Sequence, residues 1–237
     1  VIEAGPSDRD IRVHIPFGLV ILLKSDSRNW NRKTVPMAAA GEREVSVPRG
    51  KMLGGSGSIN SMVWFRGTRA DFDAWSLPGW DSDIVWEAFD AVEARMSPAR
   101  LPHPHPLSVA FGSTFAANDP NAPPTPERQS AGVFQCNMKN GPRRSAADGF
   151  LRPSGATTLT GSEVDSVRFE GRRATGITLR DGRHITARAG VVLSAGSIES
   201  PMILMRSGIG PGQDLHAAGI KVRLDAQGVG ANLHDHP

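Results

Sequence analysis

A glycine-rich run is the part of this sequence best suited to holding a ligand. It reads Gly50-Lys51-Met52-Leu53-Gly54-Gly55-Ser56-Gly57-Ser58-Ile59-Asn60. Glycines let the backbone approach a ligand closely, serine hydroxyls add donors, and the start of a helix favours an anion such as a pyrophosphate. The alternative is a flexible surface loop, which glycine content alone favours.

An acidic residue and the end of an apolar run supply further candidate residues. Glu3 follows Val1-Ile2, and dinucleotide-binding folds use a carboxylate at such a strand end to accept from ribose hydroxyls. The matching G-x-G-x-x-G turn is expected about 20 residues upstream of it. Ala195 and Gly196 end a second apolar run, where open α/β sheets bind ligands. The alternatives are a solvated glutamate and a tightly packed turn between strand and helix.

The first 130 residues predict few regular elements. Scattered prolines and Gly18 predict an extended loop over residues 6–36. Residues 44–48 alternate like a strand, and the glycine-rich run should open a helix that carries Ile59, Met62 and Val63. Apolar residues at spacings of three and four predict a helix over residues 82–94, and a shorter one is expected at 107–117.

The remainder of the chain predicts a sheet and one further helix. Four strands are expected over residues 158–164, 167–170, 174–180 and 184–189, and the turns between them predict a small antiparallel sheet. Residues 191–196 form a short apolar run without alternation, which predicts a strand buried in a parallel sheet. Residues 197–205 predict a helix with Pro201 in its first turn. The predicted fold class is therefore α/β.

Composition argues against several classes of protein. The formal net charge is +3, from 27 basic and 24 acidic residues, and the basic residues are scattered, so nucleic-acid binding is not expected. No apolar run reaches the roughly 18 residues that a membrane helix needs, and no signal-peptide pattern opens the chain. We therefore expect a cytoplasmic protein without a membrane span.

The cysteine and the histidines do not predict a metal site. Cys136 is the single cysteine, which excludes an intrachain disulfide. His103 with His105, and His234 with His236, invite a metal interpretation, but each pair lacks the third and fourth ligands that zinc sites use. We expect no bound metal.

Two long motifs carry a resemblance to a known family. Pro48 to Asn60, continued by Arg66-Gly67 and Asp71-Phe72-Asp73-Ala74-Trp75, resembles the first signature of the glucose-methanol-choline (GMC) oxidoreductases. Residues 196–210 resemble the second signature of the same family, at the expected distance downstream. Shorter matches include Asn29-Trp30, residues 144–151 and residues 228–236, so the resemblance spans nearly the whole chain.

The resemblance implies a Rossmann-like FAD-binding fold of the GMC type, incomplete at both ends. Residues 1–237 would then be a partial FAD-binding domain, with 97–130 a variable insertion towards the substrate domain. Ile59 stands where some members attach the flavin through a histidine, so non-covalent FAD is implied. The resemblance implies FAD contacts at Gly54, Gly55, Ser56, Ser58, Asn60, Met62 and Val164, and the two strand ends add Glu3, Ala195 and Gly196.

The activity implied for the parent protein is oxidation of a primary alcohol to an aldehyde by hydride transfer to flavin. The family's proton-accepting histidine belongs to a segment beyond Pro237, so no residue of this chain is nominated as catalytic. These 237 residues alone are therefore expected to be inactive. The alternatives are an FAD-containing hydroxynitrile lyase and a non-catalytic remnant. The expected partner is a small-molecule alcohol, with the oligomeric state left open.

Overall fold

The computed structural model describes residues 1–115 and 132–234. Contacts within the chain define two compact units. The glycine-loop unit comprises Pro6–Thr157, and the sheet unit comprises Val1–Gly5 with Thr158–Pro237. The prediction of a helix at 107–117 and that of a variable insertion at 97–130 both extend into residues 116–131, outside the described residues.

The start of the glycine-loop unit is helical, so the prediction of an extended loop over 6–36 is wrong. Helices α1 (Ile11–His14) and α2 (Leu19–Leu22) flank a 3₁₀ turn at Pro16–Gly18. The carboxylate of Asp10 caps α1 by accepting from the Arg12 amide at 2.9 Å. The apolar pieces fold as helical turns because this buries Val13 and Leu22 in one cluster with Met52 and Ile59.

Short strands frame the glycine-rich run. Strand β1 (Arg32–Lys33) pairs antiparallel with β2 (Ser46–Val47), which confirms a strand within 44–48. The run itself forms a 3₁₀ turn at Gly55–Ser58, followed by β3 (Val63–Trp64), so the predicted helix does not form. The chain turns at Met62, whose φ is +63°, and a helix cannot pass through that conformation.

The rest of the glycine-loop unit is built around one long helix. After α3 (Arg69–Asp73), helix α4 spans Ser82–Met96 and is capped by Asp81, whose carboxylate accepts from the Ile84 amide. This confirms the helix predicted at 82–94. Strand β4 (Ala99–Arg100), helix α5 (Pro106–Phe115) and strand β5 (Gln135–Cys136) follow, with sheet order β3-β5-β4. A π turn at Ala147–Leu151 leads into α6 (Arg152–Ser154).

An antiparallel sheet dominates the sheet unit, as predicted, but it has three strands where four were expected. Strands β6 (Val164–Glu170), β7 (Arg173–Leu179) and β8 (His184–Thr186) lie in the order β6-β7-β8. The strand predicted at 158–164 is wrong, because Val164 belongs to β6 and, of the other residues, only Leu159 pairs, in an isolated bridge with Ile2. Gly161 then turns the chain with a φ of +63°, which ends any extended run.

The end of the sheet unit carries two helices and one parallel strand pair. Helix α7 spans Gly196–Arg206, with strand β9 (Ile209–Gly210), helix α8 (Gly212–Ala217) and strand β10 (Leu224–Asp225) after it. Strand β9 pairs parallel with β10. Pro201 lies inside α7 and beyond its first turn, so its predicted position is wrong.

The predicted buried strand at 191–196 is also absent. Within the described ranges no strand pairs with this segment, and Val192 is 89% exposed. An extended segment becomes a strand only when a neighbour satisfies its backbone groups. Here that neighbour is missing from the described residues.

Candidate functional site

The lead-in to the glycine-rich run is fixed by a buried asparagine. The side-chain oxygen of Asn29 accepts from the Arg49 and Asn31 amides at 2.9 and 3.1 Å, and its Nδ2 donates to the Leu23 carbonyl at 2.7 Å. The Lys51 amide also donates to the Arg28 carbonyl at 2.8 Å. The run therefore starts from a fixed backbone rather than from a flexible surface loop.

Two glycines of the run are required by its own packing. A Cβ on Gly50 would lie 2.3 Å from the Gly55 carbonyl oxygen. A Cβ on Gly54 would lie 2.3 Å from the Ser58 Oγ and 3.0 Å from the Ser145 Oγ. The two separations of 2.3 Å are far shorter than van der Waals contact, so larger residues would force the bend open.

The other two glycines face open space. A Cβ on Gly55 or Gly57 would meet no atom within 4 Å. Gly55 has a φ of +56°, which favours glycine, whereas Gly57 lies outside the left-handed region. Neither packing nor backbone conformation explains the glycine at 57. Its effect is to leave the backbone at this point of the bend uncovered by a side chain.

The polar side chains of the run divide between its outer and inner faces. Ser56 and Asn60 are exposed, and Ser56 Oγ accepts from the Gly50 amide at 3.1 Å. Ser58 is fully buried and donates to the Leu53 carbonyl at 2.8 Å. The Ser58 hydroxyl is therefore committed to holding the bend, and only its backbone could meet a ligand on the outer face.

Ile59 and Met62 both point into the interior. Ile59 is 3% exposed in the cluster with Val13, whereas Met62 packs with Cys136 and Met138 in a second cluster. The Met62 amide donates to Asn60 Oδ1 at 3.0 Å, and its carbonyl accepts from the Asn137 amide at 2.9 Å. Burial of the Cys136 side chain in that cluster raises the pKa of its thiol.

Arg143 lies behind the glycine-rich run and was not predicted from the sequence. Its Nη1 donates to Asn60 Oδ1 at 2.6 Å and to the Gly57 carbonyl at 3.2 Å, and its Nε donates to the Val13 carbonyl at 2.9 Å. The residue is 3% exposed, and burial lowers the pKa of its guanidinium. These contacts span more than 80 residues of sequence, so no local spacing could have revealed them.

In the sheet unit, Glu3 stabilises its own turn. Its Oε1 accepts from the Gly5 amide at 2.8 Å. Its backbone amide donates to the Leu159 carbonyl, and its carbonyl accepts from the Ser162 amide, both at 2.9 Å. The predicted carboxylate is thus held at a defined position by the chain around it.

The remaining predicted residues lie on β6 and at the start of α7. Val164 begins β6, and its carbonyl accepts from Arg206 Nη2 at 3.3 Å. Ala195 and Gly196 are exposed, and the Ala195 amide donates to Ser200 Oγ at 2.9 Å. Gly196 has a φ of +86°, and a Cβ there would meet nothing within 4 Å.

A metal-binding cluster and a membrane-spanning helix are both absent from the described residues. Across residues 1–115 and 132–234, no three or more His, Cys, Asp or Glu side chains are grouped to hold a metal ion. In those same ranges no helix is both long enough and apolar enough to cross a lipid bilayer. His236 lies outside the described residues.

The glycine-rich bend is typical of proteins that bind a dinucleotide cofactor. Comparison with known families identifies which of these families the chain belongs to. Residues 31–237 match the model of the GMC oxidoreductases. The chain belongs to the GMC oxidoreductase family, which confirms the resemblance carried by its two motifs.

Curated relatives agree with this assignment. The chain is 32% identical to an alcohol dehydrogenase [acceptor] of Pseudomonas putida and 34% identical to an oxygen-dependent choline dehydrogenase of Rhizobium rhizogenes. Each alignment covers 100% of this chain and 48% of the relative. The chain therefore spans about half the length of the curated relatives it matches.

A solved structure confirms the GMC-type fold. Pyridoxine 4-oxidase from Mesorbium loti superposes with a TM-score of 0.80 at 28% identity. The superposition covers 94% of this chain and 49% of that protein. The mixture of helices with small antiparallel sheets described above is therefore about half of a GMC fold.

Proposed function

We propose that the protein containing this chain is an FAD-dependent oxidoreductase that oxidises a primary alcohol to an aldehyde. Family membership supports the reaction class, and the named relatives support an alcohol as the substrate. Choline and pyridoxine, the compounds in two of those names, both carry a primary alcohol.

The outer face of the glycine-rich bend is the observation that carries the proposal. Gly55 and Gly57 leave open space above the backbone, while Gly50 and Gly54 hold the bend from within. Such a surface fits a dinucleotide, because a flat backbone lets a phosphate group or a planar ring approach within hydrogen-bonding distance. The residues present therefore fit FAD.

We assign the proposed FAD contacts by the side of the bend on which each group lies. Ser56 and Asn60 would contribute exposed side chains, Gly54, Gly55 and Ser58 would contribute backbone, and Met62 would act from behind by holding Asn60. In the sheet unit, considered by itself, Glu3 would accept from ribose hydroxyls, and the backbone near Val164, Ala195 and Gly196 would be the other proposed contacts of that unit. No residue of this chain is proposed as the acceptor of the proton from the alcohol hydroxyl.

Non-covalent attachment follows from the residue at position 59. Ile59 is aliphatic, so its side chain has no nucleophilic atom, and it is buried on the inner side of the bend. Because some GMC members attach the flavin through a histidine at this position, Ile59 implies that the proposed site would hold FAD by contacts alone. When bound, FAD supplies the acceptor for the hydride that leaves the alcohol carbon.

The test uses the full-length protein that contains this chain. Flavin released by denaturation should be FAD, close to one per protein. Anaerobic addition of choline, pyridoxine or benzyl alcohol should bleach the visible absorption of the flavin, and one aldehyde should form per flavin reduced. Bound flavin that no alcohol bleaches, together with cleavage of a hydroxynitrile, would replace this proposal by a lyase. A folded protein without flavin would indicate a non-catalytic remnant.

A further inference from the structure

We propose that Arg143 is a positioning residue that turns the side-chain amide of Asn60 so that its Nδ2 donates to the cofactor. This inference rests on the proposed function, because it concerns the outer face of the bend assigned to FAD. It adds a residue that lies 83 positions away from Asn60 along the chain and that does not itself touch the cofactor.

The orientation of the Asn60 amide follows from its two partners. Arg143 Nη1 lies 2.6 Å and the Met62 amide nitrogen 3.0 Å from Asn60 Oδ1. Both partners are donors only, so the atom facing them must be the acceptor oxygen. The reversed rotamer would set the NH₂ group against two further donors. Asn60 is exposed, and its Nδ2 is therefore the group turned away from Arg143.

Arg143 is itself held in one place. Its Nε donates to the Val13 carbonyl, its Nη1 also reaches the Gly57 carbonyl, and its backbone amide donates to the His14 carbonyl at 2.9 Å. A planar guanidinium with several fixed acceptors has little freedom to reorient. It therefore imposes one geometry on the bend and on Asn60 together.

The burial of Arg143 makes this contact strong. All the acceptors that its side chain reaches are uncharged oxygens, and Nη2 is buried without a hydrogen-bond partner in the described part of the chain. A hydrogen bond from a charged donor is roughly twice as strong as one between neutral groups. The hydrogen bond from Arg143 therefore holds Asn60 Oδ1 towards the interior.

A substitution at Asn60 separates positioning from simple structural support. Asn60→Asp keeps an acceptor for Arg143 and gives the buried guanidinium a carboxylate partner, but it removes the outward donor. We expect its melting temperature to equal or exceed that of the wild type, while its FAD dissociation constant rises about tenfold, as expected for one lost hydrogen bond. A shift in the visible flavin spectrum should accompany the loss.

Substitutions at Arg143 test whether it acts through Asn60. Arg143→Met in the full-length protein should weaken FAD binding about tenfold and shift the flavin spectrum as Asn60→Asp does. In an Asn60→Ala background the same change should weaken FAD binding less than twofold, because contacting residues are coupled. Arg144→Met is the matched control, since the Arg144 side chain donates to the Arg95 carbonyl and not to the bend. It should change FAD binding less than about twofold.

Each remaining outcome decides the question. The proposal is overturned if Arg143→Met weakens FAD binding equally in both backgrounds, or if Asn60→Asp binds FAD as the wild type does. If Arg143→Met does not fold, Asn60→Asp alone decides by the same criterion. If the wild type binds no FAD, the proposed function fails separately. The Arg143–Asn60 contact is then tested by melting temperature, where Asn60→Ala should be less stable than Asn60→Asp and the opposite order would exclude it.

Discussion

The backbone of Gly54 packs directly against the hydroxyl of Ser58. A Cβ on Gly54 would lie 2.3 Å from Ser58 Oγ, which donates to the Leu53 carbonyl at 2.8 Å from within the same bend. The φ of Gly54 is +86°. Glycine is therefore required at this position by the bend itself, whether or not a ligand is bound.

Replacing Gly54 with alanine should destabilise the protein. The left-handed conformation costs about 1–2 kcal/mol with a Cβ, and overpacking adds about 1–3 kcal/mol. Chemical unfolding of Gly54→Ala measures the loss. Gly41→Ala is the control, because Gly41 has a φ of +67° but open space around it. Equal losses in the two variants would show that Gly54 is not packed as described.

Glu93 should make stability depend on acid pH. It accepts from Trp64 Nε1 at 2.7 Å and from Arg66 Nε at 2.8 Å. The hydrogen bond from Arg66 is the main reason that the pKa of Glu93 lies below its usual value of 4.5. A carboxyl with a lowered pKa stabilises the fold above its unfolded pKa, and this stabilisation is lost as pH falls through the folded pKa.

Glu93→Gln should therefore lower the free energy of unfolding by about 1–2 kcal/mol at neutral pH. The difference from the wild type should shrink steadily below pH 4.5, because Glu93 is protonated first in the unfolded chain, and it should be smallest once the pH has fallen through the folded pKa. Urea unfolding at a series of pH values measures the free energy of unfolding of each protein and the pH dependence of the difference between them. A difference that stays constant down to acid pH would contradict the Arg66–Glu93 contact.

Gly176 should be essential to the sheet of strands β6 to β8. A Cβ there would lie 2.2 Å from the Ile185 carbonyl oxygen on the neighbouring strand. Gly176→Ala should cost about 3 kcal/mol or more, because two strands would have to separate. Gly190→Ala, in open space within the same unit, should change stability by less than about 0.5 kcal/mol. Tolerance of Gly176→Ala would contradict the strand register.

Cys136 should be unreactive in the native protein. Cys136 is 3% exposed, and burial raises the pKa of its thiol. A reagent therefore cannot reach the sulfur easily, and little of the thiol is present as the reactive thiolate. Iodoacetamide at pH 8 should label it only after denaturant is added, as peptide mass spectrometry can show. Native labelling as fast as that of a free thiol would contradict the packing of Cys136 with Met62.

Local patterns predicted the fold only where local interactions decide it. Helix α4 was predictable because Asp81 supplies the cap and its apolar residues recur with helical period. The segment after Gly57 does not form the predicted helix, because Ile59 and Met62 have helical spacing but are buried in different clusters. The run at 191–196 has the composition of a buried strand, yet no described strand lies beside it. A short run of sequence does not show whether a distant part of the chain will pair with it as a neighbouring strand.

The candidate site shows the same division. The glycine-rich run predicted the bend, because glycines that permit a tight turn and serines that donate hydrogen bonds all lie within one short stretch of sequence. Which face each residue occupies could not be predicted, as Ser58 and Met62 show by pointing inward. Arg143 was missed because its contacts with Asn60 and Val13 join segments far apart in the chain. Such contacts depend on the folded backbone.

The affinity of the full-length protein for FAD, measured with and without Gly57→Ala, tests the central claim most directly. Gly57 lies in open space outside the left-handed region, so the unliganded variant should keep its stability within about 0.5 kcal/mol. If FAD covers the outer face of the bend, the added methyl group should raise its dissociation constant at least about tenfold. An unchanged dissociation constant would contradict the placement of the cofactor on this surface.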